Sequence, residues 1–202
     1  MHPNKVFDWT DRSEILHFVA DRVFAHIFTA ATDGLLVVHA PLLVTDGGKI
    51  WFHVARRNRI AAHLADRPLL ISMSGREGYQ SANWYVSDDQ VPTWHYETVE
   101  IEGVARQLSD EELVALLDGL SAQHEGRVSP EQPWTRAKMT PGKFEAMLRA
   151  IVGFEVDPID VRGTRKFNQH KSVGDLAATM AGQQGARRED IVAAIREMTR
   201  DE

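Results

Sequence analysis

Two tight-turn signals, Asp33-Gly34 and Asp46-Gly47-Gly48, bracket an apolar run from Leu35 to Val44, with further extended runs on either side. Asp-Gly between apolar runs is among the strongest local signals for an antiparallel hairpin. Ala25 to Ala30 therefore reads as a first strand, Leu35 to Val44 as a second and Lys49 to Val54 as a third, in meander order. Pro41 has no N–H to give a ladder, so it predicts a bulge or a sheet edge in the second strand.

The remaining segments add strands and covering helices. A first helix is expected near Thr10 or Asp11, where Asp11 and Glu14 have capping-box spacing and Ile15, Phe18, Val19 and Arg22 share a face. Asn58 reads as the N-cap of a short helix marked by Ile60 and Leu64, followed by a strand from Leu69 to Ser74 that Gly75 and Gly78 interrupt. Strict alternation from Thr93 to Leu108 predicts a long strand with a bulge near Gly103. Ser109 and Glu112 form a capping box ahead of Leu113, Leu116, Leu117 and Leu120. Thr140-Pro141 reads as the start of a helix that Gly153 ends, Phe154 to Asp157 as a closing strand, and 163–170 as a polar loop before two tail helices, 172–180 and 189–198. The fold class is α+β and mainly β: an antiparallel barrel over 1–162 with flanking helices, and a loop and helical C-terminal tail over 163–202.

Composition narrows the function. A net charge of −6 opposes broad binding to phosphate backbones, although a local basic patch would override it, so DNA stays open as a partner. There is no cysteine, which removes disulfides, thiolate metal sites and cysteine nucleophiles, and fits a reducing compartment. No segment approaches the ~18 apolar residues of a membrane span and the N-terminus has no apolar signal core, so a cytoplasmic protein with no membrane partner is expected. The nine histidines form no His-x-x-x-His pair, and no metal site is expected. Dinucleotide, serine-hydrolase and P-loop motifs are missing, and no residue declares itself catalytic.

Two segments carry chemistry. His53-Val54-Ala55-Arg56-Arg57-Asn58-Arg59 joins a strand end to a helix start and holds three arginines, a place suited to a phosphate or, equally, to a solvated basic turn. Trp94, His95 and Tyr96 open the long strand beside Pro92, where rings either flank a flat heterocycle or pack in the core. In the tail, acidic residues (Asp175, Glu189, Asp190, Glu197, Asp201, Glu202) outnumber basic ones (Arg187, Arg188, Arg196, Arg200), the reverse of a DNA-reading helix.

Taken together, His39-Ala40-Pro41-Leu42-Leu43, His53-Val54-Ala55-Arg56, Asn83-Trp84-Tyr85, Val91-Pro92-Thr93-Trp94-His95-Tyr96, Met147 to Glu155 and Lys166-Phe167-Asn168-Gln169 resemble the PaiB family. Its members are FMN-binding split-barrel proteins described as negative transcriptional regulators. The resemblance implies an antiparallel split β-barrel homodimer with FMN at the subunit interface. It places the phosphate at His53, Val54, Ala55, Arg56 and Asn58, with His39 on the neighbouring strand, and puts Trp94, Tyr96, Lys166 and Gln169 at the ring. Split-barrel relatives also include flavin-dependent oxidoreductases. The chain departs from the family pattern at Gly75-Arg76-Glu77-Gly78-Tyr79, Ala82-Asn83, Asp89-Gln90 and Asn168-Gln169-His170-Lys171, which keeps a changed ligand such as haem as an alternative.

Overall fold

The computed structural model of the chain describes residues 2–199. In chain order these form β1 (Asp8–Trp9), α1 (Arg12–Arg22), β2 (Phe24–Ala31), β3 (Gly34–Val44), β4 (Ile50–Ala55), β5 (Pro68–Gln80), β6 (Thr93–Gln107), α2 (Asp110–Val128), α3 (Lys143–Leu148), β7 (Ile151–Lys166), α4 (Val173–Gly185) and α5 (Glu189–Met198). Arg200, Asp201 and Glu202, counted above in the charge of the tail, lie outside the described residues. The strands build a mostly antiparallel sheet in the order β1-β7-β4-β3-β2-β5-β6, with a further pairing between β7 and β6.

The expected meander is present, with its turn moved by one residue. Ala31 pairs with Gly34, so Thr32 and Asp33 form the turn and Gly34 opens β3 at a φ of 134°, which only glycine adopts without strain. Pro41 neither bulges nor marks an edge strand. It is the last β3 residue paired to β2, opposite Phe24, and the ladder to β4 begins one residue later at Leu42. Its missing N–H falls between the two ladders, where it removes no rung.

Several segments read as breaks are continuous strand. β5 runs through Gly75 and Gly78, and the space that a Cβ on Gly75 would fill is taken by the Glu97 side chain. β7 extends beyond Asp157 to Lys166, because β1 pairs with the part expected to be loop: Asp8 with Thr164 and Trp9 with Gly163. The helix expected at Thr140-Pro141 starts instead at Lys143, after Gly142 takes a left-handed turn, and ends at Leu148. Gly153 therefore belongs to β7, opposite His53.

Two compact units divide the chain. The larger comprises Arg12–Met73 and Glu100–Val161; the smaller comprises the residues up to Asp11, Ser74–Val99 and the residues from Arg162 onward. In the larger unit Ile15, Ile27, Leu42, Ile50, Phe52 and Phe154 are fully buried, and the Phe52 and Phe154 rings stack at 5.6 Å. A second cluster packs Leu108, Leu113, Leu116 and Leu120 around Val23, and the predicted capping box between Ser109 and Glu112 starts α2. In the smaller unit Phe167 is enclosed by Leu176 of α4 and Ile191, Ala194 and Ile195 of α5. Removing the Phe154 ring leaves a cavity beside Phe52, so Phe154→Ala should cost about 3–5 kcal/mol in urea unfolding. A loss below about 1 kcal/mol would mean that the stack does not hold β4 against β7.

Candidate functional site

In the larger unit the candidate residues cluster where β4 ends. The final rungs pair His53 with Gly153, Val54 with Val152 and Ala55 with Ile151. The Asn58 N–H then donates to the Ala55 carbonyl at 2.8 Å, and Asn58 Oδ1 accepts from the Ile60 N–H at 3.1 Å, capping a five-residue 3-10 helix, Arg59–His63. So short a helix carries little dipole, and attraction for an anion rests on the arginines.

Those three arginines are not equivalent. Arg59 is engaged by Asp33 in an exposed ion pair at 2.5 Å. Arg56 donates from Nε to the Arg149 carbonyl (3.0 Å) and from Nη2 to the Ile151 carbonyl (2.7 Å), which fixes the guanidinium plane against the start of β7. Arg57 is exposed and has no ion pair or hydrogen bond among the described residues. Val54 points into the core and Ala55 outward. His53 is half-buried, its Nδ1 is sequestered with no hydrogen-bond partner, and burial lowers its pKa, so the ring is neutral at pH 7. His39 lies on β3 opposite His26, their rings 4.7 Å apart and edge to face.

Behind this turn sits a buried carboxylate that the sequence pattern did not single out. Glu155 on β7 accepts from Lys49 Nζ (2.9 Å), Trp51 Nε1 (2.8 Å) and Arg106 Nε (3.2 Å). Burial alone would raise its pKa, but these donors outweigh it and hold the group ionised below the usual range. Arg106 also grips Glu112 of the capping box, tying β6, β7 and the start of α2 together.

The other candidates lie in the smaller unit. Trp94 is about half exposed and meets Tyr79 edge to face at 6.1 Å. Tyr96 projects on the same side of β6, two residues on, and burial raises its pKa. Lys166 Nζ donates to the Thr93 hydroxyl and to the Trp94 carbonyl (3.1 Å), which brings Lys166 and the Trp94 backbone together. Gln169 serves its own loop: Oε1 accepts from the Phe167 N–H (2.9 Å) and Nε2 donates to the Arg165 carbonyl (2.6 Å).

The inward side of β6 holds a polar cluster that the sequence reading passed over. Glu97 is 4% exposed and accepts from the Arg76 N–H, Nε and Nη2 at 3.0, 3.0 and 3.1 Å, while Arg76 also reaches Glu197 of α5 at 2.8 Å. His95, 1% exposed, stacks on Phe167 and shares Nε2 with Gln80 Oε1 at 2.9 Å. Alternation placed both residues on the buried face, and a buried carboxylate demands cationic partners, so the signal was present.

Against known proteins, the FMN_bind_2 family ("Putative FMN-binding domain") matches residues 1–159. The chain is 29% identical over 179 residues to protease synthase and sporulation protein PAI 2 of Bacillus subtilis (strain 168), covering 87% of this chain and 85% of that one. Its fold resembles the FAD and haem binding protein of Mycobacterium smegmatis (TM-score 0.59, 15% identity, 79% of this chain and 73% of that one). It likewise resembles the flavocytochrome Anf3 of Azotobacter vinelandii (TM-score 0.58, 14% identity, 82% and 72%). Sheet order and these likenesses define an antiparallel flavin-binding split-barrel protein. Within that class the chain belongs to the FMN_bind_2 family and is PaiB-like, and its cofactor is a flavin.

The residues present fit such a group. The β4 turn offers an uncommitted Arg57 and the free Nη1 of a fixed Arg56 for a phosphate, and the orphaned His53 Nδ1 is a buried polar atom that a ligand hydroxyl satisfies.

Burial, followed by the charge of Lys166, pushes the His95 pKa down from 6.5 to about 4. A histidine with a depressed folded pKa leaves the unfolded chain binding more protons at acidic pH, so stability falls as pH drops from about 6.5 to about 4. This group should contribute a loss of about 3 kcal/mol across that window. Chemical denaturation at a series of pH values should show a shallower acid slope for His95→Gln. Identical slopes would remove His95 as the titrating group.

Proposed function

We propose that the chain is an FMN-binding homodimer of the PaiB kind that acts as a negative regulator of transcription, with the phosphate held at the β4 turn. The carrying observation is the turn itself: Arg56 is oriented by two backbone carbonyls with Nη1 left over, Arg57 is unengaged, and His53 Nδ1 awaits a partner. An arginine whose plane is already set loses less conformational freedom when it grips a phosphate. Val54, Ala55 and Asn58 shape the turn. A bound flavin supplies reversible electron and hydride chemistry. The chain's contribution is to bind and orient it, so that occupancy or redox state alters a surface that DNA or a protein partner reads.

Dimerisation is supported by the outward face of β2 and β3. Residues directly opposite in an antiparallel pair share a face, which groups Phe24 with Pro41, His26 with His39, Phe28 with Val37 and Ala30 with Leu35. Phe24, Val37 and Leu35 are 60%, 47% and 83% exposed there, an apolar patch of the kind that a partner subunit covers.

The purified protein should be yellow, release FMN on denaturation and sediment as a dimer. A colourless protein that ignores added FMN, or one with a Soret band, would overturn the cofactor assignment. Arg56→Ala should weaken FMN binding by about 1.5–3 kcal/mol in a fluorescence-quenching titration, the value of a lost charge-assisted hydrogen bond. Unchanged affinity would move the phosphate elsewhere. Because the Leu35 side chain is solvent-facing, Leu35→Glu should fold normally yet sediment as a monomer; a persistent dimer would place the interface on another face. Regulation requires salt-dependent, sequence-preferring retention of DNA by the flavin-loaded dimer.

A further inference from the structure

The smaller unit contains a cleft of about 220 Å³ lined, among the described residues, by the basic side chains His2, Lys166, His170 and Lys171 together with neutral polar and apolar groups. Among the described residues no carboxylate contributes to its lining. Its remaining wall includes Phe7 and Tyr85, and these rings pack against the basic side chains. The His2 and His170 rings meet Phe7 edge to face at 4.7 and 5.1 Å, and Lys171 Nζ stands 5.3 Å from the centre of the Tyr85 ring while donating to Gln90 Oε1 at 2.6 Å. The Tyr85 hydroxyl is itself fixed by Asn168 Nδ2 at 2.9 Å.

Like charges gathered in a concave, partly desolvated space repel one another unless a counter-charge enters. That repulsion is felt at His170, whose pKa is lowered by burial and then by Lys171, Lys166 and His2 in turn. Lys166, too, is lowered by burial. Yet the chain as a whole is acidic, with a net charge of −6, so the local excess of positive charge is a specific feature of this cleft.

We propose that this cleft binds a small, multiply charged anion bearing carboxylate or phosphate groups, as a site additional to the flavin. The volume corresponds to about seven waters and falls below the ~300 Å³ at which sites for drug-sized ligands begin, too little for a whole flavin nucleotide. Lysine ammonium groups act as point charges that serve either oxyanion. Tyr85, Thr93 and Asn168 add neutral polar groups around them.

Calorimetric titration of the full chain with citrate, and separately with inorganic pyrophosphate, at constant ionic strength tests this and shows which oxyanion is preferred. Saturable one-to-one binding of at least one probe is expected, weakened about tenfold by Lys171→Met, the loss of one charge-assisted contact. Lys143→Met, which removes an equal exposed charge from the larger unit, should change it less than about twofold. The absence of saturable binding for both probes would overturn the proposal, as would an equal loss in the Lys143 variant. Flavin fluorescence in the same samples separates the two sites. Mutual displacement of FMN and the anion would assign the cleft to the flavin and overturn the proposal, whereas anion binding by a chain that takes up no FMN would leave it standing and remove the flavin reading alone.

Discussion

The register between β4 and β7 is the constraint on which the larger unit depends. Ile50, Trp51 and Phe52 stand opposite Val156, Glu155 and Phe154. In this register the two phenylalanines stack in the core while Trp51 and Glu155 meet on the opposite side of the sheet through an indole-to-carboxylate hydrogen bond. A slip of β7 by one residue would drive Glu155 among Phe52, Ile50 and Leu42 and turn the Phe154 ring to the other face. A lone carboxylate in that environment is several kcal/mol unfavourable, so the pairing is specified from both faces at once.

The same register fixes the candidate phosphate site. Because Ala55 must pair with Ile151, β4 ends where the carbonyls of Arg149 and Ile151 are within reach of Arg56. The turn is thus set by strand pairing rather than by its own helix, which is only one short 3-10 stretch. Division of labour among the three arginines follows: one anchors the turn to the start of β7, one pairs with Asp33, and one is left facing outward.

The smaller unit is organised around charge instead. A buried Glu97 held by Arg76, a neutral His95 stacked on Phe167 and two lysines lining a cleft lie on the same few strands and loops. Hydrogen-bonded polar clusters of this kind give a core one arrangement, since each member loses its partners if the packing shifts. The two lysines of the cleft find only neutral acceptors, with no carboxylate among the described lining residues, and that difference marks it as a place for a ligand rather than a structural device.

By itself the sequence determined the antiparallel meander, the α2 capping box, the alternation of β6 and the family, because turn chemistry, caps and period-two patterning are local and leave a direct imprint on residue order. It also located the arginine-rich turn and the Trp94 to Tyr96 segment. It misread Gly75, Gly78 and residues 163–166 as breaks, since a glycine chosen to admit Glu97 and a polar stretch paired to β1 look the same in one dimension as a loop. Only the tertiary structure decided that Arg56 is spent partly on carbonyls far along the chain, that Glu97 and Glu155 find buried partners, and that His2, Lys166, His170 and Lys171 converge. Those outcomes depend on contacts between residues distant in sequence, and no local pattern encodes which charge will meet a counter-ion and which will be left without one.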